Sequence, residues 1–159
     1  MASPLTLLLP VAEGHTPLEI AAKLGAYGPK LYEALKAVGT VHYARALMLD
    51  RRSPNLQPKL DPPKQGEAPF VIAIITEFDG DFDRYIHDFV SKVGEVFDAL
   101  LQFVPGGKEM TPVASHETAF RKLLAANDAS HSLPTLFQAY TATVPEILAN
   151  LPPPEKKDG

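Results

Sequence analysis

Residues 70–104, FVIAIITEFDGDFDRYIHDFVSKVGEVFDALLQFV, decide the fold of this chain. Four β-branched residues lie within residues 71–75, which is typical of a buried strand. The acidic turn Asp79-Gly80-Asp81 follows. Residues 82–101 then place apolar side chains at spacings of three and four, which predicts a long amphipathic helix. Its apolar positions are Phe82, Tyr85, Ile86, Phe89, Val93, Val96, Phe97, Leu100 and Leu101.

The composition is that of an ordinary globular chain. Its 159 residues predict one domain over residues 1–151, followed by a disordered tail over residues 152–159. A formal net charge of −4 gives no electrostatic reason to expect nucleic acid as a partner, and no segment reaches the ~20 apolar residues of a membrane span. The absence of cysteine excludes disulfides and thiolate metal sites, and we expect a cytoplasmic protein.

The remaining elements can be predicted on both sides of this stretch. Strands are expected at residues 5–11, 41–49, 70–78 and 135–142. Helices are expected at residues 17–38 with an interruption at Gly28-Pro29, and at residues 82–101, 115–126 and 144–151. This order predicts an α+β fold: a ferredoxin-like βαββαβ arrangement with an antiparallel four-stranded sheet and extra C-terminal helices.

The central strand is apolar on both of its faces. Alternation places Phe70, Ile72, Ile74 and Phe78 on one face, and Val71, Ala73 and Ile75 on the other. Both faces therefore need to be covered, and the helices can cover only one. The second face is most simply covered by the sheet of another copy, which predicts a homodimeric α+β barrel. The alternative is that the N-terminal segment or the long loop folds over it.

That long loop, residues 50–69, is rich in proline and basic side chains. It contains five prolines together with Arg51, Arg52, Lys59 and Lys64. The simpler interpretation is a solvated connection between two strands, and the alternative is a lid or a docking surface.

Two motifs resemble those of an uncharacterised bacterial protein family. They are VHYAR at residues 41–45, similar to that family's VHFAR-type strand, and TEFDGDFDRYIHDF at residues 76–89, similar to its YDG-type turn and helix. TLFQAYTATVPEI at residues 135–147 resembles the family's C-terminal strand and helix. The resemblance implies no established activity. The fold itself is similar to the dimeric α+β barrel superfamily, which includes dye-decolourising peroxidases, chlorite dismutases, haem-degrading enzymes and cofactor-free monooxygenases.

Three residues are candidates for catalysis. Arg45 lies in an otherwise apolar strand, where a guanidinium must either pair with a carboxylate such as Glu77 or face a cavity and bind an anion. His42 is predicted to face the opposite way from Arg45, beside small residues that leave room for a ligand, although a histidine hydrogen-bonded at the strand entry is the simpler interpretation. Asp79 ends the central strand, where it can handle protons or cap the helix.

Two helical histidines are candidate cofactor ligands. His116, at the start of the 115–126 helix, is the candidate metal ligand for a haem iron, and His87 is its rival. Both can equally be surface residues.

No Walker loop, dinucleotide fingerprint, GxSxG elbow or HExxH motif is present in the sequence. Together with the similarity of the fold to the dimeric α+β barrel superfamily, the candidate residues favour a small-molecule-binding protein of oxidoreductase type, with a haem-dependent peroxidase or oxygenase as one version of this hypothesis. Its cavity is expected between the sheet and the helices. The alternatives are a cofactor-free ligand-binding dimer and a non-catalytic interaction module.

Overall fold

The computed structural model describes residues 2–54, 60–131, 138 and 140–152. The strands are β1 (Ala2–Ala12), β2 (Val41–Asp50) and β3 (Glu67–Asp79). The helices are α1 (Pro17–Gly25), α2 (Gly28–Val38), α3 (Phe82–Leu101), α4 (Glu117–Ala126) and α5 (Val144–Asn150), with 3-10 turns at Gly107–Met110 and Val113–Ser115. Of the helices described, none combines the length and apolarity needed to cross a membrane. The predicted tail lies outside the described residues, except for Pro152.

The helix boundaries follow local capping chemistry. Thr16 and Glu19 form a reciprocal capping box at the start of α1, and Thr143 and Glu146 form another at the start of α5. The Asp81 carboxylate accepts a hydrogen bond from the Arg84 backbone N–H at the start of α3, so Asp81 rather than Asp79 caps this helix. The expected interruption at Gly28-Pro29 divides the first helical region into α1 and α2.

The α+β class is confirmed, but the sheet formed by the described residues has three strands rather than four. The strand order is β1–β3–β2 and both pairs are antiparallel. Gln138 and residues 140–142, the described part of the predicted fourth strand, are not in a strand, and the rest of it lies outside the described residues.

The chain that leaves α4 pairs with the other edge of β1. The Leu8 N–H donates to the Asn127 carbonyl (2.9 Å), and the Ala129 N–H donates to the Thr6 carbonyl (2.8 Å). These backbone bonds satisfy edge groups that a fourth strand would otherwise have satisfied.

Aromatic side chains fill the space between the sheet and the helices. Phe78 of β3 stacks on Tyr85 of α3 with ring centroids 3.8 Å apart, and Tyr85 contacts Phe89. Phe97 links Phe89 to Phe120 of α4 at centroid distances of 5.7 and 4.9 Å. The cavity expected in this layer is therefore replaced by a packed core, which is the ordinary state of a protein interior.

The outer face of the sheet, opposite the helices, is already largely shielded within one chain. Val71 and Ala73 of β3 point to this face and are only 1% and 2% exposed. A second copy is therefore not needed to bury Val71 and Ala73. The homodimer stays a prediction, which light scattering at micromolar concentration tests.

Candidate functional site

His42 and Asp79 form a hydrogen-bonded pair where β2 begins and β3 ends. His42 Nε2 lies 2.9 Å from Asp79 Oδ1, and the two side chains are 4% and 11% exposed. Because a carboxylate can only accept, this contact assigns the proton to Nε2 in the neutral imidazole. The second oxygen, Oδ2, accepts the backbone N–H of Val144 at 2.7 Å. Both Asp79 oxygens therefore accept hydrogen bonds, one from His42 and one from Val144.

A β-bulge places His42 in this pair. Val41 lies opposite Phe78 and Tyr43 lies opposite Glu77, so His42 is the extra residue between them. Strict alternation predicted that His42 and Tyr43 face opposite ways. Instead both lie next to Tyr140: the His42 and Tyr140 ring centroids are 6.0 Å apart, and Tyr43 is close enough to raise the pKa of Tyr140.

Glu77 is the unpaired acid of this region. Its side-chain atom Oε2 is buried and has no hydrogen-bond partner among the described residues. Burial raises the pKa of Glu77 above its ordinary value of 4.5, and a proton on both nitrogens of His42 would offset part of that rise. A buried carboxylate oxygen without a partner is uncommon, because it loses its water without a replacement bond. Glu77 therefore has a carboxylate oxygen without a hydrogen bond, whereas both oxygens of Asp79 already accept one.

Two tyrosines border these acids. Tyr43 is 67% exposed and Tyr140 is 42% exposed, so their rings are open to an incoming molecule. The neighbouring Tyr43, partial desolvation and the negative charge of Asp79 raise the pKa of Tyr140, which remains a neutral phenol at physiological pH. We call His42, Tyr43, Glu77, Asp79 and Tyr140 the polar cluster.

The raised pKa of Glu77 predicts a dependence of stability on pH. Because folded Glu77 holds its proton more tightly than the unfolded chain does, stability should fall as pH rises from about 4.5 through the folded pKa. Glu77→Gln removes this titration. We expect the melting temperature of the variant, relative to the native chain, to increase over this pH range and then level off.

The exposed residue Glu109 provides the control for this measurement. Glu109→Gln should give a difference from the native chain that changes little with pH. A pH-independent difference for Glu77→Gln as well would contradict the assigned burial of its carboxylate.

Arg45 is exposed, contrary to the expectation that it must pair or face a cavity. It lies opposite Ile75 on β2, an edge strand that leaves its middle residues open to solvent. Within the described part of the chain, Arg45 forms neither an ion pair nor a hydrogen bond, so the alternative of a structural pair with Glu77 is wrong. Its predicted role in binding an anion stays a prediction.

The two candidate haem ligands lie on the helical side of the molecule. The side chain of His87 is 66% exposed, and its Nδ1 is 3.4 Å from Glu117 Oε2. His116 is exposed and its Nδ1 is 3.1 Å from the Pro112 carbonyl. Neither histidine contacts the polar cluster. Among the described residues, no group of three or more His, Asp or Glu side chains could hold a metal ion.

The proline-rich loop is closed at its base by an ion pair. Arg51 Nη1 donates to Glu67 Oε2 at 2.8 Å, and each side chain is 13% exposed. Residues 55–59 lie outside the described part of the chain. A lid or docking role for this loop stays a prediction.

Sequence reasoning found His42 and Asp79 but did not assign a functional role to Glu77, Tyr43 or Tyr140. Glu77 could have been found by applying the period of two to the end of β3, which places it on the same face as Asp79. Tyr140 carries no such signal, because its position depends on how the chain returns to the sheet after α4.

Comparisons with protein-family models, with curated proteins and with solved structures give no significant match to this chain. The resemblance to an uncharacterised bacterial family stays a prediction, and the function has to be argued from the polar cluster itself.

Proposed function

We propose that this chain binds a small molecule with a hydroxyl group at the polar cluster and accepts the hydroxyl proton on Glu77. The observation that carries the proposal is the buried Oε2 of Glu77, which has no hydrogen-bond partner among the described residues. Oε2 itself is closed to solvent, so a ligand O–H group would bond to Oε1, the other oxygen of this unpaired carboxylate. Because hydrogen bonds to charged groups are worth about 1.5–3 kcal/mol, this contact alone would give useful affinity.

The neighbours of Glu77 suit proton transfer. A raised pKa makes the carboxylate a stronger base, closer in strength to what a reaction at neutral pH requires. His42, fixed by Asp79, supplies a nearby group that can carry positive charge. It would stabilise Glu77 in the ionised form before transfer and a ligand oxyanion after it.

The two tyrosines favour a flat, aromatic ligand. Their exposed rings present aromatic faces and edges, and Tyr43 lies directly opposite Glu77 on the neighbouring strand. No cofactor is needed for binding and proton transfer, so the cofactor-free alternative from the sequence has the most support. The wider assignment to oxidoreductases stays a prediction.

The test compares 4-nitrophenol with its methyl ether, 4-nitroanisole, which lacks the hydroxyl proton. At a pH low enough to keep the free phenol protonated, calorimetry should show the phenol binding roughly 10- to 100-fold more tightly than the ether. Glu77→Met, which keeps the length of the side chain but removes the acceptor, should abolish this difference. Glu109→Met serves as the matched control on an exposed glutamate.

Equal affinity for the two probes in the native chain would overturn the proposal and favour the non-catalytic interaction module. The haem-dependent version has a separate test. Protein produced with haem supplied should show a Soret band that His116→Ala or His87→Ala removes.

A further inference from the structure

Arg45 and Glu77 lie on the same face of the sheet with opposite charges and no bond between them. Arg45 is opposite Ile75 on the neighbouring strand, and Tyr43 is opposite Glu77. Arg45 and Glu77 are therefore diagonal neighbours, for which the separation between Cα atoms is about 7–8 Å. Both residues belong to the outer face, away from the aromatic core.

Each of the two groups lacks a partner of its own. Arg45 is exposed and forms no ion pair among the described residues. Glu77 Oε2 is buried without a hydrogen bond, and the one charge that lowers the pKa of Glu77 is that of His42 in its protonated form, not that of Arg45. An arginine close enough to pair with Glu77 would lower that pKa strongly. The two side chains thus lie unpaired at diagonal positions on adjacent strands.

From this arrangement we propose that the ligand is a small aromatic hydroxy acid, with its carboxylate bound by Arg45 and its hydroxyl bound by Glu77. The inference rests on the proposed function, since it extends the same site by one residue. A guanidinium presents a planar fork of donors that matches a carboxylate. A para-substituted benzene ring holds its two groups several ångströms apart, which suits two side chains at diagonal positions, and Tyr43, directly opposite Glu77, lies two residues from Arg45 along β2.

The chain's net negative charge adds to the argument for a local anion site. With a formal net charge of −4, the protein repels anions at long range, so an anionic ligand needs a specific cation. Arg45 supplies that cation next to the polar cluster, whereas the guanidinium of Arg51 is held by Glu67 and that of Arg121 by Asp83 and Glu117.

The experiment compares 4-hydroxybenzoate with the uncharged 4-hydroxybenzamide. Both carry the hydroxyl group, and only the first carries a carboxylate. Calorimetry should show that the native chain binds 4-hydroxybenzoate about tenfold more tightly, as expected when one charged hydrogen-bonded contact is added. Arg45→Gln should remove that advantage by weakening the binding of 4-hydroxybenzoate about tenfold, and should weaken the binding of 4-hydroxybenzamide much less, because the neutral amide makes no charged contact with Arg45. Arg45→Lys keeps the positive charge but loses the planar pair of N–H donors, so it should retain part of the preference for 4-hydroxybenzoate.

Lys122→Gln is the control, because it removes one positive charge from the exposed side of α4, far from the sheet's outer face. It should leave the ratio of the two affinities unchanged. Two results would overturn the inference: a ratio that Arg45→Gln does not alter, or a gain in affinity for the benzamide, which would mean that Arg45 occupies Glu77 in solution. If 4-hydroxybenzamide itself does not bind the native chain, the proposed function fails and this inference fails with it.

Discussion

Replacing Phe120 with alanine should lower the free energy of unfolding by about 3–5 kcal/mol, as is typical when a large buried aromatic side chain is truncated. Phe120 of α4 is fully buried, and its ring meets Phe97 of α3 edge to face at 4.9 Å. This contact ends the series of aromatic rings that begins at Phe78 on the sheet. Removing it leaves a cavity between α3 and α4 that the packed neighbours can fill only in part.

Urea unfolding followed by circular dichroism measures this effect. Leu18→Ala is the control, since Leu18 is 80% exposed on α1 and alanine suits a helix equally well. It should change the free energy by less than about 0.5 kcal/mol. A small change in the free energy of unfolding for Phe120→Ala would mean that α4 does not pack against the core as the structure indicates.

The second large effect is expected for Asp79→Ala, which should cost about 2–4 kcal/mol and detach α5 from the sheet. One carboxylate oxygen accepts from His42 and the other accepts from the Val144 N–H, so the substitution leaves two donors without a partner. Because α5 follows Tyr140, the loss of this anchor should also disturb the polar cluster.

Hydrogen exchange rates of individual backbone amides test this prediction. The Val144 amide should exchange at least tenfold faster in Asp79→Ala, and affinity for 4-nitrophenol should fall, while amides in the middle of α3 change only as far as global stability does. Asp61→Ala, at an exposed position in the loop, should change neither. Unaltered protection of Val144 would show that Asp79 does not hold the C-terminal segment.

These two substitutions distinguish the contribution of the helical core from that of the polar cluster. Phe120 acts in the core on the helical side of the sheet, and Asp79 acts at the end of the sheet where the polar cluster lies. A chain with Phe120→Ala that remains folded at low temperature should still bind 4-nitrophenol. By contrast, Asp79→Ala should lose binding even where the fold is retained.

The sequence by itself determined the elements whose causes are local. The apolar period of α3, the capping residues Thr16, Asp81 and Thr143, and the interruption at Gly28-Pro29 set the helix boundaries, because capping and periodicity involve residues at most a few positions apart. The β-branched run likewise identified β3, and alternation identified β2.

Only the tertiary structure decided how these elements make a site. The bulge at His42 reverses the direction that alternation predicts, and the edge position of β2 exposes Arg45, because strand order is set by long-range pairing. The pairing of residues 127–129 with β1 and the return of Tyr140 to His42 depend on contacts between residues about 100 or more positions apart. No local pattern encodes such contacts, and the polar cluster exists only through them.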